Sequence, residues 1–277
     1  MDLVEAAQEH ARSGKLKTSM VGLCSILLAE FLLVCASSLN AVSQPVQGAS
    51  ANGMDPTEIV WMMVAKNETR ARELKYFTAL RHYHLDFNGL GRSMAADMHV
   101  QVTYTAGSGK SFQIVDESGS RILLNHVLRK LLETEQIDSR QQKAALTPFN
   151  YNFVFDGDTT DGGEPLYVFH VEPREKNKLL YRGRIWIDAR EYAVVRVEAQ
   201  PAESPSFWIK STEIRHTYKK SGGFWLPETN RSESKVRLGG LAVLTIDYGT
   251  YQFEEPQGAT SAAATEVANR RPVLDAR

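Results

Sequence analysis

LLYRGRIWIDAREYAVVRVEAQP, residues 179–201, reads as two strands joined by a tight turn. In the first, Tyr181, Gly183, Ile185 and Ile187 fall on one side and Arg182, Arg184, Trp186 and Asp188 on the other. In the second, Ala193, Val195, Val197 and Ala199 alternate with Tyr192, Val194, Arg196 and Glu198. A side-chain period of two, with β-branched residues on one side, marks a half-buried strand. The link Asp188-Ala189-Arg190-Glu191 is short and polar. The Asp188 carboxylate can accept from backbone N–H groups just ahead of it, so the two strands are expected to pair antiparallel.

Most of the chain around this hairpin has the same character. Before it, Tyr76–Asn88, Met98–Thr105 and Ser111–Asp116 read as strands, with a turn at Ala106–Gly109. After Pro148, Phe149, Tyr151, Phe153 and Phe155 share one face, and Gly157–Pro165 (GDTTDGGEP) reads as a loop into the strand Leu166–Glu172. Phe207–Lys219, Phe224–Arg237 and Leu241–Phe253 complete about ten strands. The last is apolar on both faces, which points to a strongly curved sheet or open barrel that wraps a helix or holds a cavity.

Two helices interrupt the strands. Asp55 and Pro56 supply an N-cap and a first-turn proline, and Ile59, Met62, Met63 and Lys66 follow at helical spacing. The methionines read as core packing or as an adaptable surface for an apolar ligand. The second helix, Ser120–Ile137, has an apolar stripe of Ile122, Leu123, Val127, Leu128, Leu131 and Leu132. A helix between runs of strands must cover something apolar.

Residues 1–41 differ in kind. Arg12, Lys15 and Lys17 precede an apolar run from Met20 to Ala36, then small residues. That order is expected of a secretory signal peptide cut after Ala41, or of a retained membrane anchor. Residues 42–54 read as a flexible tether, 55–254 as one domain and 255–277 as a disordered tail. Both cysteines, Cys24 and Cys35, lie in the N-terminal segment, so no disulfide is expected to staple the domain. A formal charge of −1 gives no basic footprint for nucleic acid.

Chemistry-bearing motifs are sparse. His82-x-His84 puts two imidazoles on one strand face, a spacing used in metal sites. A third ligand would have to come from elsewhere, such as His170 or His216, and two solvated polar residues are the simpler reading. Asp156, Asp158, Asp161 and Glu164 crowd GDTTDGGEP without the register of a calcium loop. Arg182, Arg184 and Arg196 could meet an anionic headgroup, or pair across strands on a solvent face. The chain has no Gly-x-Ser-x-Gly elbow, P-loop, dinucleotide fingerprint or HExxH, so neither an enzyme nor a cofactor is expected.

At the central hairpin, LYRGRIWIDAREYAVVRVEAQP followed by PSFWIKSTEIRHTYKKSGGFWLPETNRSES resembles the LolA/LolB/RseB-like superfamily, most of all bacterial outer-membrane lipoprotein-sorting proteins. The matching features are Ile185-Trp186-Ile187-Asp188, the apolar return strand, and Phe224-Trp225-Leu226-Pro227 opening a later strand. The resemblance implies a mainly β (α+β) fold: a highly curved antiparallel open half-barrel with helices covering its mouth. It also implies a periplasmic or envelope location in a Gram-negative bacterium, and lipid or lipoprotein acyl chains as ligand. The implied cavity would be lined by Met62, Met63, Leu124, Leu128, Leu131, Phe149, Tyr151, Phe153, Ile185, Ile187, Val195 and Val197, and Arg81 is a candidate for the carriers' functional arginine. An RseB-like module that binds an envelope membrane protein is the alternative.

Overall fold

The structure is a computed structural model describing residues 53–254, apart from 90, 136–144, 177, 205, 206, 208 and 238. The expected signal segment, most of the tether and the tail lie outside the described residues. In chain order the elements are α1 (Pro56–Glu73), β1 (Tyr76–Gly89), β2 (Arg92–Thr105), β3 (Gly109–Gly119), α2 (121–135), β4 (Tyr151–Asp161), β5 (Glu164–Pro173), β6 (Tyr181–Asp188), β7 (Val194–Pro201), β8 (Ile209–Ser221), β9 (Phe224–Val236), β10 (Leu241–Asp247) and β11 (Tyr251–Gln252). All pairings are antiparallel, in the order β3-β2-β1-β10-β9-β8-β7-β6-β5-β4, with β11 beside β1. β3 and β4 end this order without pairing to each other, so the sheet is an open half-barrel. No helix among the described residues is long and apolar enough to cross a membrane.

The central hairpin forms as its sequence dictates. Asp188 Oδ1 accepts from the N–H groups of Arg190 and Glu191 at 3.0 and 2.6 Å, closing the turn. The return strand departs from simple alternation. Trp186 faces Arg196 but Ile187 faces Val194, so Val195 is an extra residue in a β-bulge. A bulge reverses strand parity, so Val194 and Val197 enter the core while Val195 stays half-buried outside it. At Gly183 (φ +152°) the strands approach so closely that a Cβ would stand 2.2 Å from the Glu198 carbonyl oxygen. Gly183→Ala is therefore expected to destabilise the protein by about 1–3 kcal/mol, read as a lower urea midpoint with unchanged slope.

Three other stretches differ from the reading of their sequence. Phe149 lies in a turn in which the N–H groups of Asn150 and Tyr151 both bond Thr147 O at 3.0 Å, and it is 56% exposed. The strand starts only at Tyr151, because Pro148 sits in the turn. GDTTDGGEP is no loop: Asp161 pairs with Glu164 and Thr160 with Pro165, leaving Gly162-Gly163 as the turn. Asp161 and Glu164 within it, and Asp156 just before it, pair with arginines: Asp156 with Arg184 at 2.7 Å, Asp161 with Arg196 at 3.4 Å, and Glu164 with Arg190. The final strand breaks at Gly249 (φ +60°), whose N–H bonds Asp247 Oδ1 at 2.8 Å. Leu244, Ile246 and Tyr248 are buried before the break and Tyr251 after it, so two parities of one stretch serve the same core.

Candidate functional site

Directly opposed residues of an antiparallel ladder share a face. One such row runs Val197, His216, Asn230, Ile246, Tyr83, Met98 from β7 to β2. It identifies the inner face of the half-barrel, and both helices cover that face. The packing beneath them falls into two separate apolar clusters. Under α2, Leu123, Leu124, Val127, Leu128, Leu131 and Leu132 meet Tyr83, Leu85, Met98, Val100, Leu244 and Ile246. Under α1, Ile59, Val60, Met63 and Val64 meet Tyr151, Phe153, Phe169, Val171, Ile185 and Ile187.

Between the clusters runs a polar seam. Thr212, His216, Asn230, Ser232 and Ser234 are each only 2–4% exposed. Thr212 Oγ1 and Ser234 Oγ are 2.8 Å apart, and the His216 ring stacks on Tyr218 and Tyr248 with centroids at 4.4 and 5.9 Å. Asn230 Oδ1 and Ser232 Oγ find no hydrogen-bond partner among the described residues. A buried polar atom in that condition carries its full desolvation penalty, roughly 1–3 kcal/mol.

Helix α2 is built to cover. It comprises Arg121–Leu123, a π-helical turn Leu124–Leu128 and Arg129–Glu135; such turns recur at functional sites. Its apolar residues lie inward, while Ile122 is 42% exposed. Its last residue enters a buried ionic cluster. Arg81 Nη1 donates to both Glu135 carboxylate oxygens at 3.0 and 3.2 Å, and Lys110 Nζ to Oε1 at 2.7 Å, with all three side chains at most 5% exposed. The Arg81 guanidinium also lies over the Tyr248 ring, 4.7 Å from its centroid. Arg81, singled out from the sequence, thus ties the end of α2 to the inner face of β1. At the other cluster, Arg70 of α1 donates to the carbonyls of Glu191 and Tyr192 at 3.0 and 3.3 Å, pinning α1 to the central hairpin's tip.

The expected lining residues distribute as follows. Leu124, Leu128 and Leu131 lie in the α2 cluster, and Met63, Tyr151, Phe153, Ile185, Ile187 and Val197 in the α1 cluster. Met62 is half-buried and outside both, because α1 turns Ile59, Val60, Met63 and Val64 inward. Val195 and Phe149 are also outside, for the reasons given above. The seam was not read from the sequence. Its signal is the run Glu228–Lys235, which has no apolar residue on either parity.

On the outer face the arginines pair across strands. Besides the Arg184 and Arg196 pairs, Arg182 lies 3.8 Å from Glu172, and Arg196 also stacks on Trp186 at 4.0 Å. A groove of about 490 Å³ there is lined by Arg182, Arg215 and Arg231 together with Glu198, Glu213 and Glu233, a balanced set with no preference for an anion. His82 and His84 also face outward. Their nearest third group is neither His170 nor His216 but Asp97, opposite His84 on β2. The hydrogen bond to Asp97 raises the His84 pKa against the opposing effect of burial. Burial pushes Asp97 up, but its bonds to His84 and His82 outweigh that and hold it below the ordinary carboxylate range.

No protein-family profile matches the chain, and no curated protein matches it. Among solved structures, the chain is similar to a DUF1329 family protein from Desulfovibrio piger, at 12% identity over 72% of this chain and 93% of that one, with a TM-score of 0.38. It is similar to a putative outer membrane lipoprotein-sorting protein domain from Vibrio parahaemolyticus, at 12% identity over 73% and 94%, with a TM-score of 0.37. It is also similar to a LolA superfamily protein from Nitrosomonas europaea, at 11% identity over 72% and 93%, with a TM-score of 0.32. Likeness at this level says nothing of ligand.

Proposed function

We propose that this chain is an exported carrier or sensor that takes up the acyl chains of a lipid or lipoprotein on the inner face, without chemistry on its ligand. The observation that supports this reading is one sheet face with two apolar clusters, each under its own helix, and a buried polar seam between them. Hydrophobic burial is non-directional. An acyl chain can therefore take over contacts that the α2 leucines make, exchanging apolar surface for apolar surface. The ionic cluster suits a cover that opens, because buried ion pairs gain little net stability over solvated ones. A ligand hydroxyl or amide N–H would donate to Asn230 Oδ1, and a ligand carbonyl would accept from Ser232 Oγ.

The test is uptake of phosphatidylglycerol, a diacyl phospholipid whose headgroup hydroxyls can donate, from vesicles by the full chain, compared with Asn230→Leu. Replacing a buried, unsatisfied amide by an apolar side chain of similar size is near neutral for folding. The melting temperature should hold while phospholipid uptake weakens about tenfold, the worth of one good hydrogen bond. Uptake equal to that of the parent would remove the seam from the site.

A further inference from the structure

The outer face of the β1–β2 pair, away from both apolar clusters, carries a polar constellation. His82 and His84 stand on β1, and His99 and Asp97 lie directly opposite them on β2. His82 Nε2 and His84 Nδ1 both donate to Asp97 Oδ1, at 2.9 and 2.7 Å. One donor atom from each of His82, His84 and Asp97 lies within 4.8 Å of the other two. The second ring nitrogen of His84 bonds Asp86 Oδ2 at 2.9 Å. His99 stacks on His82, with centroids 4.4 Å apart and planes at 10°, and its Nδ1 bonds Asp116 at 2.9 Å.

We propose that His82, His84 and Asp97 bind a divalent transition-metal ion of the zinc class. Zinc takes imidazole nitrogens at about 2.0–2.1 Å and carboxylate oxygens at about 2.0–2.2 Å, so its ligand atoms stand about 3.4 Å apart in a tetrahedron. The three groups already converge near that spacing, on a two-strand frame whose register fixes them, so little rearrangement is needed. Two imidazoles and one carboxylate form a nitrogen-rich set that favours zinc, copper or nickel over calcium or magnesium. Asp86 holds the far nitrogen of His84, the carboxylate–histidine contact that orients metal-bound imidazoles. His82, His84 and Asp97 are 34–41% exposed, open to an ion from solvent. Three protein ligands leave a fourth position for water or for a group of a partner molecule. On the other flank of β1, Asp247 opposes His82, but its Oδ1 accepts from the Gly249 N–H.

The experiment is calorimetric titration of the full chain with zinc ion, in a Cys24→Ser/Cys35→Ser background so that no thiolate competes. One equivalent should bind and raise the melting temperature, as any ligand of the native state does. Affinity should fall at least about tenfold in His84→Ala and in Asp97→Asn, and by about tenfold in Asp86→Asn, the usual effect of losing an outer-shell partner. His170→Ala, on a distant strand, should bind as the parent does. Melting curves of the metal-free variants report folding separately, and the exposure of these side chains predicts little change. No stoichiometric zinc, or zinc bound equally by parent, His84→Ala and Asp97→Asn, would overturn the site and leave adventitious surface binding only.

Discussion

Glu135→Ala is expected to destabilise the fold by about 3–5 kcal/mol, the cost of removing one partner from a buried ionic group. The carboxylate of Glu135 receives both Arg81 and Lys110, and none of the three side chains is more than 5% exposed. Its removal leaves two cations in the protein interior without the anion placed between them. The same truncation at Glu133, which is 60% exposed and pairs with Lys130, should change stability by no more than about 0.5 kcal/mol. Urea midpoints of the two variants make the comparison. Similar losses at both positions would mean that the end of α2 is solvated and that the cluster does not hold it. Because the cluster joins α2 to β1, Glu135→Ala should also increase acyl-chain uptake by favouring the uncovered state.

Leu128→Ala should cost about 2–5 kcal/mol, the range for a fully buried leucine whose site cannot collapse. Leu128 is 0% exposed at the end of the π-helical turn and packs in the cluster under α2. Ile122, two residues before that turn and 42% exposed, should lose under about 1 kcal/mol on the same truncation. If an acyl chain competes with the α2 stripe for the inner face, weakening the stripe raises the fraction of binding-competent protein. Apparent affinity then rises in proportion to that fraction. Leu128→Ala is accordingly expected to take up phospholipid about tenfold more tightly at a temperature where it remains folded. Unchanged uptake, with the stability loss present, would show that α2 packs on the sheet without acting as its cover.

Local chemistry made much of the fold legible. The Asp188 turn, the Asp55–Pro56 helix start and the alternation in β1, where odd-numbered residues from Phe77 to Leu85 are buried, need only neighbouring residues to specify them. What was missed depends on partners distant in sequence. Val195 and Val194 exchanged roles because the bulge at Trp186/Ile187 adds a residue on one strand only, and no period within that strand records it. GDTTDGGEP reads as a loop because it is polar and glycine-containing, yet its residues pair with the start of β5, a partner no local signal names. Phe149 shares the parity of Tyr151 and Phe153 in the sequence, yet Pro148 sets it in a turn ahead of the strand.

The same distinction holds for the candidate sites. The buried leucines of α2, and Ile185 and Ile187 of the central hairpin, could be named from periodicity because burial is written in residue type. The seam could not. Asn230, Ser232 and Ser234 are polar residues on an inner face, and only the register from Val197 through to Tyr83 places them there. Asp97 likewise joins His82 and His84 through pairing across β1 and β2, although His82 and His84 were visible as a pair from their spacing alone.

Mass spectrometry of an organic extract tests the carrier reading most directly. The full chain would be expressed in a Gram-negative host and purified from the envelope fraction without detergent. Phospholipid or acylated peptide is expected at close to one molecule per chain, increased in amount by Leu128→Ala. A chain that emerges empty, and that takes up no fluorescent fatty acid afterwards, would contradict it and favour a module that binds an envelope protein instead.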